Sequence, residues 1–383
     1  MVAQRIKKLN PYVPGEQPTD KEYIKLNANE NPYPPHESVR EAVKATLDAH
    51  PEKMGLYPDP DVGDLRQAIA DMLNATGGVL ANANINGETC SPDEKNKLPF
   101  TVTPDMIFCG NGSDEVLSLV FYMCFDSSIP LVMPEHSYSF YPVYCGFYGI
   151  PMNRIPLKED WTLAYEEMTD ASFSNRGCMI FPNPNAPTGL ALSRAEIENM
   201  LEKSDPDRIV VVDEAYADFA EESCIPLIHK FPNKLIVVRT FSKSLSFAGM
   251  RLGYTVASPF LTDIIRTVKN SFNHFPVDFI AKTAGIASCK AAWYSAENAK
   301  KIVADRDSFI QWLKDRNWFV LDSKTNFVFA KKKGLSGKHI YEQVKKGGIL
   351  IRHFNTKGIE DFVRMTIGTH EQMEALKNVL STL

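Results

Sequence analysis

The stretch Arg239-Thr240-Phe241-Ser242-Lys243 runs on from an apolar segment, and Arg251 follows Lys243 by eight positions. A hydroxyl and a guanidinium converging beside a lysine suit a phosphate held next to a reactive amine. A lysine partly desolvated in such a place can attack a carbonyl and form a Schiff base. Taken singly, Lys243 reads as a surface charge, but two further stretches at predicted strand ends alter that reading. Gly110-Asn111-Gly112-Ser113-Asp114-Glu115 joins a predicted strand to a predicted helix. Its glycines allow a tight turn, and the free N–H groups at Ser113 and Asp114 form an anion site at a helix N-terminus. Arg208-Ile-Val-Val-Val-Asp213 ends a buried strand on an acid, where ligands lie in open α/β sheets. Arg364 sits within the short apolar strand expected from Phe362 to Ile367, and a guanidinium there needs an anion such as a substrate carboxylate.

Other chemistries are disfavoured. The chain has no Gly-x-x-x-x-Gly-Lys loop, no His-Glu-x-x-His pair and no Gly-x-Ser-x-Gly elbow. Gly110-Asn111-Gly112 lacks the third glycine of a dinucleotide fingerprint. The seven cysteines (Cys90, Cys109, Cys124, Cys145, Cys178, Cys224, Cys289) are scattered and form no Cys-x-x-Cys pair. They read as free thiols of a reducing compartment, with no disulfide framework and no zinc site. The start, MVAQRIKKLNPYVPGEQ, has no apolar signal core. The longest nearly apolar stretch, Leu117 to Phe125, is far shorter than the roughly 18 residues of a membrane span. A cytoplasmic protein is the expectation.

These residues need a scaffold. Strands expected at Met106–Cys109, Ile129–Met133, Ile150–Ile155, Cys178–Phe181, Ile209–Val212, Leu235–Arg239 and Leu252–Ala257 alternate with helices such as Ser113–Phe125, Ser137–Phe147 and Arg194–Lys203. That alternation implies an α/β fold with a mainly parallel sheet flanked by helices. Further helices are expected from Glu37, over Val62–Leu73, and over Pro259–Ser295 with a break near Asn273-His274-Phe275-Pro276. From Ala296 the style changes to a small α+β unit. Residues 77–99, polar and without periodicity, read as a surface insertion.

Taken together, Lys25-Leu-Asn-Ala-Asn-Glu-Asn-Pro-Tyr33, the Gly-Asn-Gly-Ser-Asp-Glu loop, Asn183-Pro-Asn185-Ala-Pro-Thr-Gly189, Asp213-Glu-Ala-Tyr216, Ser242-Lys243, Arg251 and Val363-Arg364 cover nearly the whole chain. In order and spacing they closely resemble the class I/II, fold-type-I aminotransferases that use pyridoxal 5'-phosphate. The nearest branch resembles the enzymes acting on histidinol phosphate in histidine biosynthesis. The resemblance implies a large cofactor-binding domain over residues 36–280 and a small domain built from both chain ends, 1–35 and 281–383. It implies that Lys243 carries the cofactor as a Schiff base and that Asp213 pairs with the ring nitrogen, keeping it protonated and a better electron sink. Tyr216 and Asn185 would bond the phenolic oxygen. A common form of the family motif places asparagine where Ala186 stands here. Ser113, Asp114, Ser242 and Arg251 would cradle the phosphate, and Tyr138 would stack on the ring. Tyr57 matches a tyrosine that reaches the neighbouring subunit's cofactor, which implies a homodimer with shared sites. Arg364 and Asn29 would hold the substrate carboxylate and Arg352 the substrate phosphate.

The expected reaction is ping-pong transamination between an amino donor, histidinol phosphate, and a 2-oxo acid, 2-oxoglutarate. Two rivals share the fold: an aromatic or broad amino-acid aminotransferase, and a decarboxylase of a phosphorylated amino acid. Two others lie outside this class: a non-catalytic cofactor-binding regulator, which is disfavoured, and a phosphate-binding structural protein without Lys243 chemistry. The segment ahead of Lys25 is too short for a helix-turn-helix domain. With 42 basic and 47 acidic residues the net charge is −5, which gives no attraction for nucleic acid or an anionic membrane. The anions must be met by a few local groups.

Overall fold

Val210-Val211-Val212 and Leu235-Ile236-Val237-Val238 are apolar at every position, as suits strands covered on both faces. The protein is described by a computed structural model over residues 3, 6–7, 9–12 and 15–383. Residues 1, 2, 4, 5, 8, 13 and 14, part of the expected N-terminal arm, lie outside the described residues. Among the described residues the main sheet has seven strands: β1 (Ile107–Asn111), β2 (Leu131–Pro134), β3 (Met152–Ile155), β4 (Met179–Pro182), β5 (Val210–Asp213), β6 (Leu235–Thr240) and β7 (Leu252–Val256). Their spatial order is β1-β7-β6-β5-β4-β2-β3. Strands β2 to β6 run parallel, and β7 is antiparallel to both its neighbours.

A smaller antiparallel sheet follows: β8 (Trp318–Val320), β9 (Phe327–Lys332), β10 (Arg352–His353) and β11 (Val363–Thr366), in the order β8-β9-β11-β10. The arm segment Ile24–Lys25 pairs in parallel with Ile349–Leu350, beside this sheet in sequence. The helices are α1 (Glu37–Ala49), α2 (Gly63–Thr76), α3 (Gly112–Cys124), α4 (Tyr141–Tyr148), α5 (Tyr165–Asn175), α6 (Arg194–Lys203), α7 (Pro259–Phe272), α8 (Phe279–Lys290), α9 (Ala292–Lys314), α10 (Gly337–Lys346) and α11 (His370–Leu380). None is long and apolar enough to cross a membrane among the described residues.

The period of two along each strand divides the core. Val211, Ile236 and Val238 join one apolar cluster with α3 and α4 residues such as Val116, Phe121 and Tyr141. Val210, Val212 and Val237 join the other, which continues into the smaller sheet through Val328, Ala330, Val363 and Met365. Both faces of the main sheet are therefore filled, and the carboxyl ends of β4, β5 and β6 are left as the open edge.

Several expectations need correction. The aromatic helix expected from Ser137 begins only at Tyr141, with Pro142 in its first turn, where the fixed proline φ suits a helix start. This leaves Tyr138 on a loop. Helix α5 was not anticipated; of its buried face only Met168 is apolar, beside Thr169 and Ser172. The last long helix begins at Ala292 rather than Ala296. The segment 77–99 is not a surface ornament. Val79, Leu80, Ala83 and Asn96 are all buried. A short hairpin, Asn84–Asn86 with Thr89–Ser91, lies in the middle of the segment, and Arg194 clamps the stretch after it through Lys95 O and Asn96 Oδ1, each at 2.9 Å. The cysteines are free thiols.

Candidate active site

The reactive loop leaves β6 at Thr240 and turns through Ser242-Lys243-Ser244. Asn31 fixes this turn by donating its Nδ2 to the carbonyls of Lys243 (3.0 Å) and Ser244 (3.1 Å). Lys243 Nζ donates to Ala28 O at 3.3 Å and lies 5.6 Å from the Tyr216 ring centre. The neighbouring arm residue, Asn29, adopts a left-handed backbone (φ 54°), which asparagine tolerates better than most residues. It is held there by Thr366 Oγ1, which accepts from its N–H at 3.0 Å, and by Asn326, which donates to its carbonyl at 3.1 Å. Its own Nδ2 donates to the Tyr216 hydroxyl at 2.8 Å. Three arm residues thus each touch a different part of the expected machinery.

Lys243, Ser242, Ser113, Asp114, Tyr138, Asp213, Tyr216 and Arg251 line one cavity of about 170 Å³. Gly112 and Gly253 make the close approach possible. At Gly112 (φ 78°) an added Cβ would stand 2.6 Å from Arg251 Nη2, and at Gly253 it would stand 2.4 Å from Ser113 N. Helix α3 has no side-chain N-cap bond, so the dipole and N–H groups of its first turn are available to an anion there. Arg251 (φ 52°) reaches the same point and pairs with Asp114 Oδ2 at 3.0 Å. Asp114 also accepts from the Tyr138 hydroxyl at 3.0 Å.

Asp213 ends β5 and is buried. Its Oδ2 accepts from the Tyr141 hydroxyl at 2.8 Å and its Oδ1 from Ala215 N at 3.2 Å. Burial pushes its carboxyl up to about 6; the Tyr141 and Ala215 bonds oppose that rise, and Asp114 and Glu214 add to it. A carboxylate in this state is best satisfied by a cation brought into the cavity. Beneath it lies a buried charge cluster: Arg239 pairs with Glu214 Oε2 at 2.8 Å and Asp218 Oδ1 at 2.7 Å, and donates to Gly78 O at 2.9 Å. Asp218 Oδ2 accepts from the hydroxyl of Ser244, next to Lys243.

A second cleft, of about 390 Å³, shares Ala28, Tyr138, Ala186, Tyr216 and Lys243 with the cavity and adds Asn29, Phe354, Arg352 and Arg364. Arg352 and Arg364 stand opposite each other on β10 and β11. Like charges so placed repel. Among the described residues, Arg364 Nη2 has one long 3.4 Å hydrogen bond to Asn27 O, and its buried Nε has no hydrogen-bond partner. Burial lowers its pKa, and Arg352 adds to that. Both features invite an anion.

The expected residues do not all converge. Asn185 is buried but is not among the residues lining either space. Its Nδ2 is engaged by His136 O and Thr188 Oγ1, both at 3.1 Å, and its Oδ1 has no partner. Tyr57 is 84% exposed and stacks on Phe275 at 4.7 Å, away from the chain's own cavity. Two contributors escaped the sequence reading. Tyr141 is one of a crowd of aromatics there and reads as packing. Asn31 lies in the quoted arm motif, but nothing in the sequence tells which carbonyl it meets. Among the described residues no cluster of His, Cys, Asp and Glu is arranged to hold a metal ion.

The donor set fits pyridoxal phosphate. The N-terminus of α3 with Ser242 and Arg251 suits a phosphate, Asp213 a cationic ring nitrogen, Tyr216 a phenolic oxygen and Lys243 an aldehyde. Comparisons with known proteins agree. The chain is 47% identical over 385 aligned residues to a histidinol-phosphate aminotransferase of Syntrophus aciditrophicus, covering 100% of this chain and 98% of that one. It is 40% identical to a histidinol-phosphate aminotransferase of Acinetobacter baumannii, covering 98% and 95%. The crystal structure of histidinol-phosphate aminotransferase from Sinorhizobium meliloti in complex with pyridoxal-5'-phosphate shares the fold, with a TM-score of 0.82 at 23% identity and coverage of 100% and 98%. The family model for aminotransferase class I and II matches residues 21–380, and the chain belongs to that family.

Proposed function

We propose that this chain is a pyridoxal-phosphate-dependent aminotransferase that exchanges the amino group of histidinol phosphate with 2-oxoglutarate. The observation that carries the substrate reading is the in-register pair Arg352 and Arg364 in a cleft that opens on Lys243. One pocket must accept a phosphate ester in one half-reaction and a carboxylate in the other, and two guanidiniums meet that demand. The names of the relatives support the same substrate.

Bound pyridoxal phosphate supplies the electron sink on which the amino group is exchanged. The chain's own residues do the rest. Lys243 would hold the cofactor, and its Nζ, when free, would carry a proton to and from the substrate carbon. Ala28 O orients that amine in the free protein. Asp213 carries the charge that keeps the ring nitrogen protonated. Tyr138 would cover the ring, Tyr216 would bond its oxygen, and Ser113, Asp114, Ser242 and Arg251 would hold the phosphate end. Arg364 and Asn29 position the carboxylate.

The reading extends to assembly. Tyr57, with Leu56 and Met54, projects from the surface, which supports a homodimer in which Tyr57 completes the neighbour's phosphate site. Free thiols support a cytoplasmic location. The chain divides into a cofactor-binding body and a smaller body from both ends. Helix α8 packs on α1 and α2, which favours a boundary after Lys290 rather than at 280.

The test is product analysis. Purified protein given histidinol phosphate and 2-oxoglutarate should form glutamate, and Lys243→Ala should not. Carbon dioxide release from a phosphorylated amino acid, without glutamate, would instead establish the decarboxylase.

A further inference from the structure

We propose that Tyr141 is a positioning residue for this reaction: its hydroxyl holds the Asp213 carboxylate charged and oriented at the floor of the cavity. The inference rests on the function proposed above.

Tyr141 has no solvent exposure and sits among Phe121, Tyr138 and Tyr144. Packing alone would be served as well by phenylalanine, because a buried hydroxyl costs stability unless it finds a partner. Here the partner is Asp213 Oδ2, at 2.8 Å. The other bond to this carboxylate, from Ala215 N, is longer at 3.2 Å. Among the opposing influences on the raised Asp213 carboxyl, the Tyr141 bond comes first. Hydrogen bonds to a charged group are also the stronger kind.

The groups facing Asp213 do not replace it. Glu214, next on the chain, and Asp114, at the start of α3, both repel its charge; Arg239 and Arg251 pair with those two acids instead. Tyr138 and Tyr144 direct their hydroxyls to Asp114. Tyr216 is bonded by Asn29. Lys243 shares the cavity wall but donates to Ala28 O. Tyr141 also sets its ring edge-on against Tyr138, at 5.4 Å and 84°. One side chain therefore touches both the acid on the floor and the aromatic wall.

Removing the hydroxyl should raise the Asp213 pKa by roughly one unit, the worth of one such bond. Asp213 with a raised pKa stabilises the fold at low pH, and that contribution is lost as pH rises through the folded value. In cofactor-free protein, Tyr141→Phe should therefore raise the unfolding equilibrium constant more at pH 8 than at pH 5, by about tenfold. In the same variant the acid-side break in pyridoxal phosphate affinity should move up by about one pH unit, and kcat should fall more than KM changes. Tyr148→Phe removes a hydroxyl from the same helix, one bonded to Ser118, and should show neither pH effect. In an Asp213→Asn background the pH-dependent part of Tyr141→Phe should vanish. A pH-independent stability loss with an unmoved break would reduce Tyr141 to packing and overturn the proposal. A protein that takes up no pyridoxal phosphate would overturn the proposed function and the role together. The pH 5 and pH 8 comparison would then still report whether Tyr141 holds Asp213 charged, so the two failures are told apart.

Discussion

Replacing Arg364 by methionine should separate stability from activity. Methionine keeps an unbranched apolar stem but is shorter and has neither the charge nor the donors. In the free protein those donors do little: Nε is unpartnered and Nη2 has one 3.4 Å contact. What is lost is cation–π contact with Phe327 (5.2 Å) and Phe354 (5.6 Å), about 1 kcal/mol each. What is gained is relief from the opposed charge of Arg352 and from burying a guanidinium. These terms offset, so the unfolding free energy should stay within about 1 kcal/mol of the parent. Activity should not. A carboxylate bound by two charge-assisted bonds gains about 1.5–3 kcal/mol from each. Losing both costs about 3–6 kcal/mol, or roughly two to four orders of magnitude in kcat/KM for 2-oxoglutarate. Arg364→Lys keeps a point charge without the fork and should fall between. Steady-state kinetics and denaturant unfolding with and without 2-oxoglutarate measure both sides. A kcat/KM within tenfold of the parent, or a stability loss above about 3 kcal/mol, would show that Arg364 braces the smaller sheet and does not receive substrate.

Two further outcomes are expected. Glu214→Gln removes one carboxylate from the buried Arg239 cluster, and should cost about 3 kcal/mol in denaturant unfolding; a loss under about 1 kcal/mol would mean that Asp218 alone satisfies Arg239. Tyr57→Ala should leave the folded chain nearly as stable, since Tyr57 is exposed, yet weaken cofactor retention. Mixing it with inactive Lys243→Ala chains should restore activity at sites that combine an intact lysine with a partner's intact tyrosine, and no recovery would argue against shared sites.

The strands that carry the chemistry were legible because their β-branched runs end at Asp213 and just before Ser242-Lys243. In such a sheet, position in sequence dictates position at the rim. The turn between β1 and α3 was legible through its glycines, and the structure shows why glycine is needed there and at Gly253, since no Cβ fits beside Arg251 or Ser113. Tyr141 was not legible. Five aromatics fall within a few residues of it, and only the late start of α4 decides which of them meets Asp213. The segment 77–99 was misread because its buried residues follow no period. They are anchored by side-chain bonds from Arg194 and Arg239, which sequence pattern does not reveal. Asn29 was named from the arm motif alone, and its bond to Tyr216 depends on one left-handed backbone angle.

The arm also bears on the order in which the molecule can be built. Ala28, Asn29 and Asn31 surround the lysine from one end of the chain, while the anchors of Asn29, Asn326 and Thr366, and of the adjoining Leu26, Leu350, come from the other. Closing such distant contacts is slow, and local structure forms ahead of it. The central sheet contains none of these residues and can close without them. The lysine is thus cased at a late step, when synthesis has already delivered β11. An unfinished chain lacks Asn326 and Thr366, and Asn29 then has neither of those anchors beside the lysine.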